Sequence, residues 1–341
     1  MSTRTRAAVE LYESIRSVPA AVWDGAVRAS HAPVFYERSY LEAYEDAPLA
    51  PLERCAYLVA TVDGAEPAHA VLPVFVQPAI DPLGALAAAF PAVAPAGRGL
   101  VTPGWHCYDG RIPATRLDAD LLEGLVAALR DLAHEAGVEW CALVNVAAGA
   151  ALDDALGTTS APIDERFVLD LARFESVEDY VASLAPKVRQ NVRRWRRRAA
   201  EAGAIVTVRR AADADLDGIL ELARATAAKY GTADFYRPGA FQSFVRGLGD
   251  SAVAIEVQIG DRLVGGGVCL VDSERFHTWT CGVDYDAAPS FSPYTVMFVE
   301  SVRAAFDRRL PLLEGGRRNA EYKLRYGLRR QPLDGYLLRF T

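Results

Sequence analysis

One order of patterned segments runs through this chain twice, and it restricts the fold more than any single motif does. In the first half, Tyr57 to Thr61 and Ala68 to Val76 read as strands joined by a turn at Asp63-Gly64. A helix follows from about Asp118 to Ala136, with Leu121, Leu122, Leu125, Ala128, Leu129 and Leu132 on one face and Gly137 to end it. Trp140 to Val146 then reads as a buried strand. In the second half, Ile205 to Arg209 is a strand, with helices at about Asp215 to Tyr230 and Pro238 to Leu248. Ala252 to Ile259, Gly260-Asp261 and Arg262 to Val271 form a hairpin signal. Arg275 to Cys281 is the next strand. Ser292-Pro293 supplies an N-cap and a first-turn proline for a helix that runs to about Arg308. Leu310 to Leu313 is a short strand, Asn319 to Tyr326 a short helix closed by Gly327, and Leu333 to Phe340 a last strand.

Hairpin, helix and strand in each half predict a mixed α/β protein of two similar domains. The repeat is one of plan, not of residues. The stretch from Gly149 to Ile163, rich in Ala, Gly, Asp, Ser and Thr, reads as the link, which gives domains 1–155 and 156–341. Phe167 to Leu171 reads as a strand opening the second half.

The second half also carries a run of one charge. Lys187, Arg189, Arg193, Arg194, Arg196, Arg197 and Arg198 are seven cations with no acid among them between Pro186 and Ala199. Val188, Val192, Trp195 and Ala199 fall at i, i+4, i+7 and i+11, one face of a helix. Pro186 suits its first turn and Gly203 can stop it. The helix would lay a narrow apolar stripe on the core and hold a wide basic face to solvent. A bland account is a solvated face neutralised by nearby acids. The sharper one is a docking surface for phosphates, whether of RNA, a nucleotide-bearing cofactor or a membrane.

The 341 residues suffice for two ordinary domains, and 51 % hydrophobic with 24 % charged residues is a globular composition. A formal charge of −7 argues against a general nucleic-acid coat, so any polyanion site must be local. Five cysteines, none in a C-x-x-C pair, argue against a disulfide framework or a structural zinc and fit a reducing cytoplasm. Met1 to Arg16 is polar and charged and does not read as a signal peptide. No run approaches the ~20 apolar residues that cross a bilayer; Leu83 to Ala96 is interrupted by Pro91 and Pro95.

The order of elements in the second half resembles the GNAT acyltransferase fold, in the acetyltransferase-6 branch allied to Fem-type peptidyltransferases. Three stretches carry the likeness. They are the basic helix after Ser183-Leu184, the hairpin strand Arg262-Leu263-Val264-Gly265-Gly266-Gly267, and Glu314-Gly315-Gly316 followed by Glu321-Tyr322-Lys323-Leu324-Arg325-Tyr326-Gly327. The first half resembles the degenerate leading repeat of such tandem proteins through Pro33-Val34-Phe35-Tyr36 and Trp105-His106-Cys107-Tyr108-Asp109. The resemblance implies two tandem GNAT-like domains and transfer of an acyl or aminoacyl group to an amine. For Fem-type enzymes it implies aminoacyl-tRNA as donor; for ordinary GNAT enzymes, acyl-CoA with its pyrophosphate on a Q/R-x-x-G-x-G/A turn at a helix N-terminus. Here the glycines of 265–267 run into Val268-Cys269-Leu270-Val271, an apolar strand, not a helix.

Aminoacyl transfer from an activated ester needs the protein to orient an amine, take a proton and steady an oxyanion. Glu314 ends an apolar strand, where a carboxylate can have a raised pKa and act as base; a simple strand-end acid is the plain alternative. Tyr322 can donate to an oxyanion, and Lys323 and Arg325 can bind phosphate or carboxylate; otherwise they are surface charge beside a packed ring. Tyr322 and Arg325 share a helix face at i and i+3. Glu314, Tyr322 and Lys323 are expected in one cleft as the catalytic group. For substrate binding, His277 and Trp279 alternate on one strand, Asp284 and Tyr285 follow it in a loop, and His106, Tyr108 and Asp109 occupy a loop of the first half; packing is the competing account for each. No zinc spacing, Walker loop or nucleophile elbow is present, and direct attack by the amine is the simpler chemistry.

These features favour an aminoacyltransferase that moves an amino acid from aminoacyl-tRNA to the amine of a small soluble acceptor or peptide. With no membrane or secretion signal, a secondary metabolite fits better than a wall precursor. No cofactor is expected beyond acyl-CoA as donor in the runner-up, an acyl-CoA N-acyltransferase. A third class is a non-enzymatic RNA- or protein-binding module on a decayed transferase scaffold.

Overall fold

The computed structural model describes residues 7–147, 152–229, 231–287 and 289–340. Gly149, where the link begins, Tyr230, where one helix was expected to end, and the first six residues of the Met1 to Arg16 stretch lie outside the described residues. In chain order the elements are β1 (Ala8–Tyr12), α1 (Ala20–Ala29), α2 (Arg38–Asp46), β2 (Arg54–Val62), β3 (Ala68–Gln77), α3 (Ala85–Ala89), β4 (Gly99–Thr102), α4 (Ala119–Ala136), β5 (Trp140–Ala147), α5 (Asp153–Leu156) and β6 (Ala161–Asp170). They continue with α6 (Val177–Ser183), α7 (Pro186–Glu201), β7 (Ala204–Arg210), α8 (Leu216–Ala228), α9 (Ala240–Gly247), β8 (Ala252–Ile259), β9 (Arg262–Val271), β10 (Arg275–Val283), α10 (Pro293–Asp307), β11 (Leu312–Glu314), α11 (Ala320–Arg325) and β12 (Arg329–Arg339).

Two compact units result, Met1–Glu165 with Pro332–Thr341, and Arg166–Gln331. The sequence puts the division at 155/156 and keeps the last strand in the second half. The structure returns that strand to the first unit because β12 pairs with β5, from Leu333 opposite Ala147 to Arg339 opposite Trp140.

Within the first unit the strand order is β1-β2-β3-β4-β5-β12. Strands β2, β3 and β4 pair antiparallel in turn, α4 crosses over, and β5 lies parallel to β4. Asp118 caps α4 by accepting from Leu121 N, and Gly137 ends it at φ 63°. Leu121, Leu125, Leu129 and Leu132 of α4 are buried with Leu58, Leu72 and Leu143 of the strands. Each fully buried leucine contributes roughly 1.5–3 kcal/mol, so this one face accounts for much of the unit's stability.

The second unit repeats the plan. Its strand order is β6-β11-β10-β9-β8-β7; β8, β9 and β10 pair antiparallel, α10 crosses over, and β11 lies parallel to β10. Ser292 caps α10 through Thr295 N, with Pro293 in its first turn. Helices α6, α7 and α10 share one core with Phe167, Leu169, Phe276 and Leu313. Helix α8 covers the opposite side. A Cβ on Gly265 would lie 3.0 Å from Pro293 Cβ of α10, and one on the next residue, Gly266, 2.8 Å from Ile219 Cγ1 of α8. The glycine triplet is therefore a packing device in mid-strand: without side chains, β9 lets a helix approach it on each face. At Gly282 the approach is closer still, because a Cβ there would clash with the backbone carbonyl of Leu222.

Candidate active site at the parting of two parallel strands

Strands β10 and β11 pair only from Arg275–Leu312 to His277–Glu314. Beyond that point each follows a different neighbour. Gly315 N donates to Phe167 O (2.7 Å) and Phe167 N to Gly316 O (3.2 Å), which holds the chain after β11 against β6. Strand β10 stays with β9, Cys281 opposite Gly267 and Val283 opposite Gly265. The two strands part, and an opening forms at their carboxyl ends, where ligands bind in open α/β sheets.

One side of the opening faces α10. Here α11 presents Lys323, a buried lysine whose Nζ donates to Arg317 O (2.6 Å) and lies 5.2 Å from the centroid of the Phe167 ring. Its Cδ is beside Gly315. Tyr322 stacks on Tyr326 at 4.0 Å and meets Tyr294 and Phe298 of α10 edge-on. Burial, with Tyr326 and Tyr294 beside it, pushes the Tyr322 phenol well above its ordinary value, so it stays protonated. Burial also raises the Cys281 thiol, opposed in part by the Lys323 charge. Arg325, at i+3 from Tyr322, does not join this wall: it is exposed and pairs with Glu321 at 3.8 Å.

The other side faces α8 and α9. Alternation along β11 turns Leu313 into the α10 core and Glu314 away from it. Glu314 and Lys323 are thus directed to different sides of the strand. The Glu314 carboxylate is buried. Its Oε1 accepts from Arg166 Nη1 at 3.0 Å, and both side chains are buried. Its backbone carbonyl accepts from Thr278 Oγ1 (3.0 Å), a clasp at the last joined pair.

His277 pairs with Glu314 and Trp279 packs on α9, so both lie on the side of β10 away from α10. Three steps along β10, from His277 to Thr280, oppose two along β9, Leu270 to Val268, so the strand is bulged there. His277 Nε2 lies 2.9 Å from Asp272 Oδ2. Burial opposes the Asp272 charge, but His277, Arg275 and the Glu274 N–H outweigh it and hold the carboxyl down at about 2. Trp279 packs with Phe241, Phe244 and Tyr236. Asp284 is spent on its own loop. Arg262 Nε donates to its Oδ2 at 2.7 Å, while Asp286 N and Ala287 N donate to Oδ1. Exposed Tyr285 lies under the Lys229 ammonium.

Residues 186–324 match the family model described as an acetyltransferase (GNAT) domain. The matched stretch lies within the second unit, which resembles a GNAT domain. Solved structures similar to the whole chain extend the likeness to the first unit at the level of fold. One is FemX, 10 % identical, with a TM-score of 0.63 over 96 % of this chain and 97 % of that one. Another is a tandem GNAT protein from the clavulanic acid biosynthesis pathway, 10 % identical, TM-score 0.57, covering 97 % and 98 %. A conserved protein of unknown function from Bacteroides thetaiotaomicron VPI-5482 is 13 % identical, TM-score 0.53, covering 98 % and 100 %. The chain has the tandem GNAT fold, and at the level of reaction class the family match supports an acyltransferase. Among curated proteins none matches the chain.

In the second unit the basic run forms α7, with Val192 and Ala199 buried and Val188 and Trp195 packed against the core. Its cations differ in what they do. Arg189 Nη1 donates to Ala182 O (2.7 Å) and Leu184 O (3.3 Å), which ties α7 to the end of α6. Arg194 lies over the Trp195 ring at 4.2 Å and Arg198 at 5.6 Å; Arg198 also donates to Ser290 O in the loop before α10. Arg196 reaches Glu178 at 4.0 Å and Arg197 reaches Glu201 at 3.5 Å, all four exposed. Lys187 and Arg193 are exposed and have no protein partner among the described residues. The face therefore keeps most of its charge toward solvent.

The first-unit candidates lie in the loop after β4, and the structure buries them. Asp109 is fully buried and takes a bidentate pair from Arg111 at 2.7 and 2.8 Å. Arg111 also donates to Ser30 O and His31 O, so this charge pair stitches the loop to the end of α1. Tyr108 packs edge-on to Phe35 at 5.0 Å, and His106 is buried beside them in sequence. Sequence reasoning passed over Phe235, Tyr236 and Arg317. The available signal was two arginines directly after Gly315-Gly316 at a strand end. Among the described residues there is no His, Cys, Asp and Glu grouping that could hold a metal ion, and no helix long and apolar enough to cross a membrane.

Proposed function

We propose that the chain moves an amino acid from aminoacyl-tRNA to the amine of a small soluble acceptor, as a step in making a secondary metabolite. The observation that carries this reading is α7: seven cations on one helix, with two exposed acids in ion-pair reach, beside the loop that leads into α10. Such a face favours a polyanion larger than a single cofactor. The amine nitrogen attacks the ester carbonyl, a C–N bond forms, the C–O bond to the ribose breaks, and a proton passes from the amine to the departing ribose oxygen. Lys323 supplies positive charge to the developing oxyanion from the α10 side of the opening. Tyr322, held protonated, supports that wall. Glu314, paired with Arg166, is assigned to positioning the strands, not to taking the proton.

The residues present do not fit a coenzyme A pyrophosphate cradle at the start of α10. Pro293 has no N–H, Thr295 N donates to Ser292 Oγ (3.3 Å), and Val296 N donates to Ser292 O (3.1 Å). The first turn can offer an anion at most one N–H, that of Tyr294. The glycine triplet that resembles the cradle motif lies within β9. The likeness to the clavulanic acid tandem GNAT protein, whose structure is described as without AcCoA, keeps acyl-CoA as the second reading.

Radiolabel transfer from charged bulk tRNA, with and without RNase, and from acetyl-CoA, tests both. RNase-sensitive transfer is expected. Transfer from acetyl-CoA alone would overturn the tRNA donor.

A further inference from the structure

The side of the β10–β11 opening opposite Lys323 is built as a recognition surface that the chemistry above does not use. Phe235 and Tyr236 come from the turn after α8, Trp279 and Thr280 from β10 where it leaves β11, and Arg317 from the chain two residues past Gly315. The rings meet in sequence: Phe235 with Tyr236 at 5.3 Å, Tyr236 with Trp279 at 5.7 Å. The Arg317 guanidinium carbon lies 5.9 Å from the Phe235 centroid. Trp279 is almost wholly buried, while Phe235, Tyr236 and Arg317 keep part of their surface open.

Both sides of this surface are held in place. Arg224 of α8 donates to Tyr236 O (3.0 Å) and pairs with Asp234 at 3.3 Å. The buried Lys323 donates to Arg317 O. The same loop bends through left-handed backbone at Gly316 (φ 67°), Arg318 (65°) and Asn319 (54°). Left-handed arginine is uncommon and costs free energy that the surroundings must offset. The bend sets Arg317 beside the ring wall at the mouth of the opening.

We propose that this surface binds the acceptor, and that the acceptor is an aromatic amine carrying an anionic group. Planar walls favour a planar partner through edge and offset ring contacts, and a fixed guanidinium favours a carboxylate or phosphate on it. The proposal rests on the β10–β11 opening being the transfer site, and it does not depend on the donor.

Binding to the full chain without donor tests it, read by saturation-transfer NMR titration with three probes. 4-Aminobenzoate has both features, aniline lacks the anion, and 4-aminobutyrate lacks the ring. 4-Aminobenzoate should bind at least tenfold more tightly than either. Arg317→Ala, which keeps the backbone carbonyl that Lys323 holds, should reduce it to the level of aniline. Phe235→Ala should reduce it to the level of 4-aminobutyrate. Equal binding of the three probes, no binding, or unchanged binding by Arg317→Ala would overturn the proposal. Failed transfer from tRNA with selective binding intact would instead count against the donor alone.

Discussion

If α7 docks the donor, its exposed cations must show in the salt dependence of tRNA binding. Arg189 is committed to the carbonyls of α6, and Arg194 and Arg198 lie over Trp195. That leaves Lys187, Arg193, Arg196 and Arg197 as the phosphate-facing set, since exposed pairs such as Arg196–Glu178 are worth only about 0–1 kcal/mol. Each phosphate neutralised contributes about −0.7 to −0.9 to the slope of log K against log salt, so four contacts give a slope near −3. Between 50 and 200 mM salt, wild-type affinity should fall roughly 60-fold. Replacing Arg193, Arg196 and Arg197 with Gln leaves one contact, a slope near −1 and a fall of about fourfold. Gln is nearly as good a helix former as Arg, so α7 should persist. Fluorescence anisotropy with labelled bulk tRNA across a salt series measures the slopes. Arg189→Gln is the control: it loosens α6 from α7 and should leave the slope unchanged. Matching slopes in the wild type and the triple variant would refute the docking role of α7.

Four further outcomes follow from the same geometry. Lys323→Met should lower kcat by about 10²–10³ with little change in KM for the donor, as loss of an oxyanion-stabilising group does; an unchanged kcat in steady-state assays would make Lys323 purely structural. Tyr322→Phe keeps the 4.0 Å stack on Tyr326 and should cost less than tenfold in the same assay, because the phenol oxygen makes no hydrogen bond among the described residues. The Asp272 carboxyl, at about 2 in the folded chain against 3.8 ordinarily, contributes stability that is present above roughly pH 4 and lost as pH falls toward 2. Asp272→Asn should cost about 2 kcal/mol in urea unfolding at pH 7 and flatten the acid limb. Arg166→Met or Glu314→Leu alone should cost about 3–5 kcal/mol by leaving a buried charge unpaired, and the double substitution less than either; equal costs would mean the pair is not coupled.

What could be read in the sequence was what is encoded locally. The Gly260-Asp261 hairpin, the α4 stripe with Gly137, and Ser292-Pro293 each carry their own stop and start signals, and the elements formed there. Strand β4 has four residues and β1 has five in a charged stretch, too short for periodicity to register. Helices α1 and α2 begin without a side-chain cap. Helix α6 did have its signal, since Ser176 accepts from Asp179 N, but its seven residues were read only as the approach to the basic run. At the site, Lys323 and Tyr322 stood out because a basic and aromatic cluster preceding a glycine is a local pattern. The Arg166–Glu314 pair joins residues 148 apart, and no spacing rule reaches it. The bulge between His277 and Thr280 carries no local sequence signal, so a period-2 reading does not find it.

The two sides of the proposed site follow from β10 and β11 pairing only from Arg275–Leu312 to His277–Glu314. While β10 and β11 run together, Leu313 and Glu314 must point to opposite sides. The apolar side meets α10 and α7, and so becomes the side on which cations accumulate: Lys323 at the opening and the arginines of α7 along the helix. The polar side meets α8 and the aromatic turn, and Glu314 there is neutralised by Arg166, so it adds no net negative charge that would repel an anionic acceptor. The clasp from Thr278 to Glu314 O marks the last point at which the sides are separated by strand pairing. Past it, on the reaction proposed above, the carbonyl of an activated ester entering from the cationic side meets an amine entering from the aromatic side. An activated ester asks little of a base, so an arrangement that places charge on one side and recognition on the other needs neither a covalent intermediate nor a catalytic carboxylate.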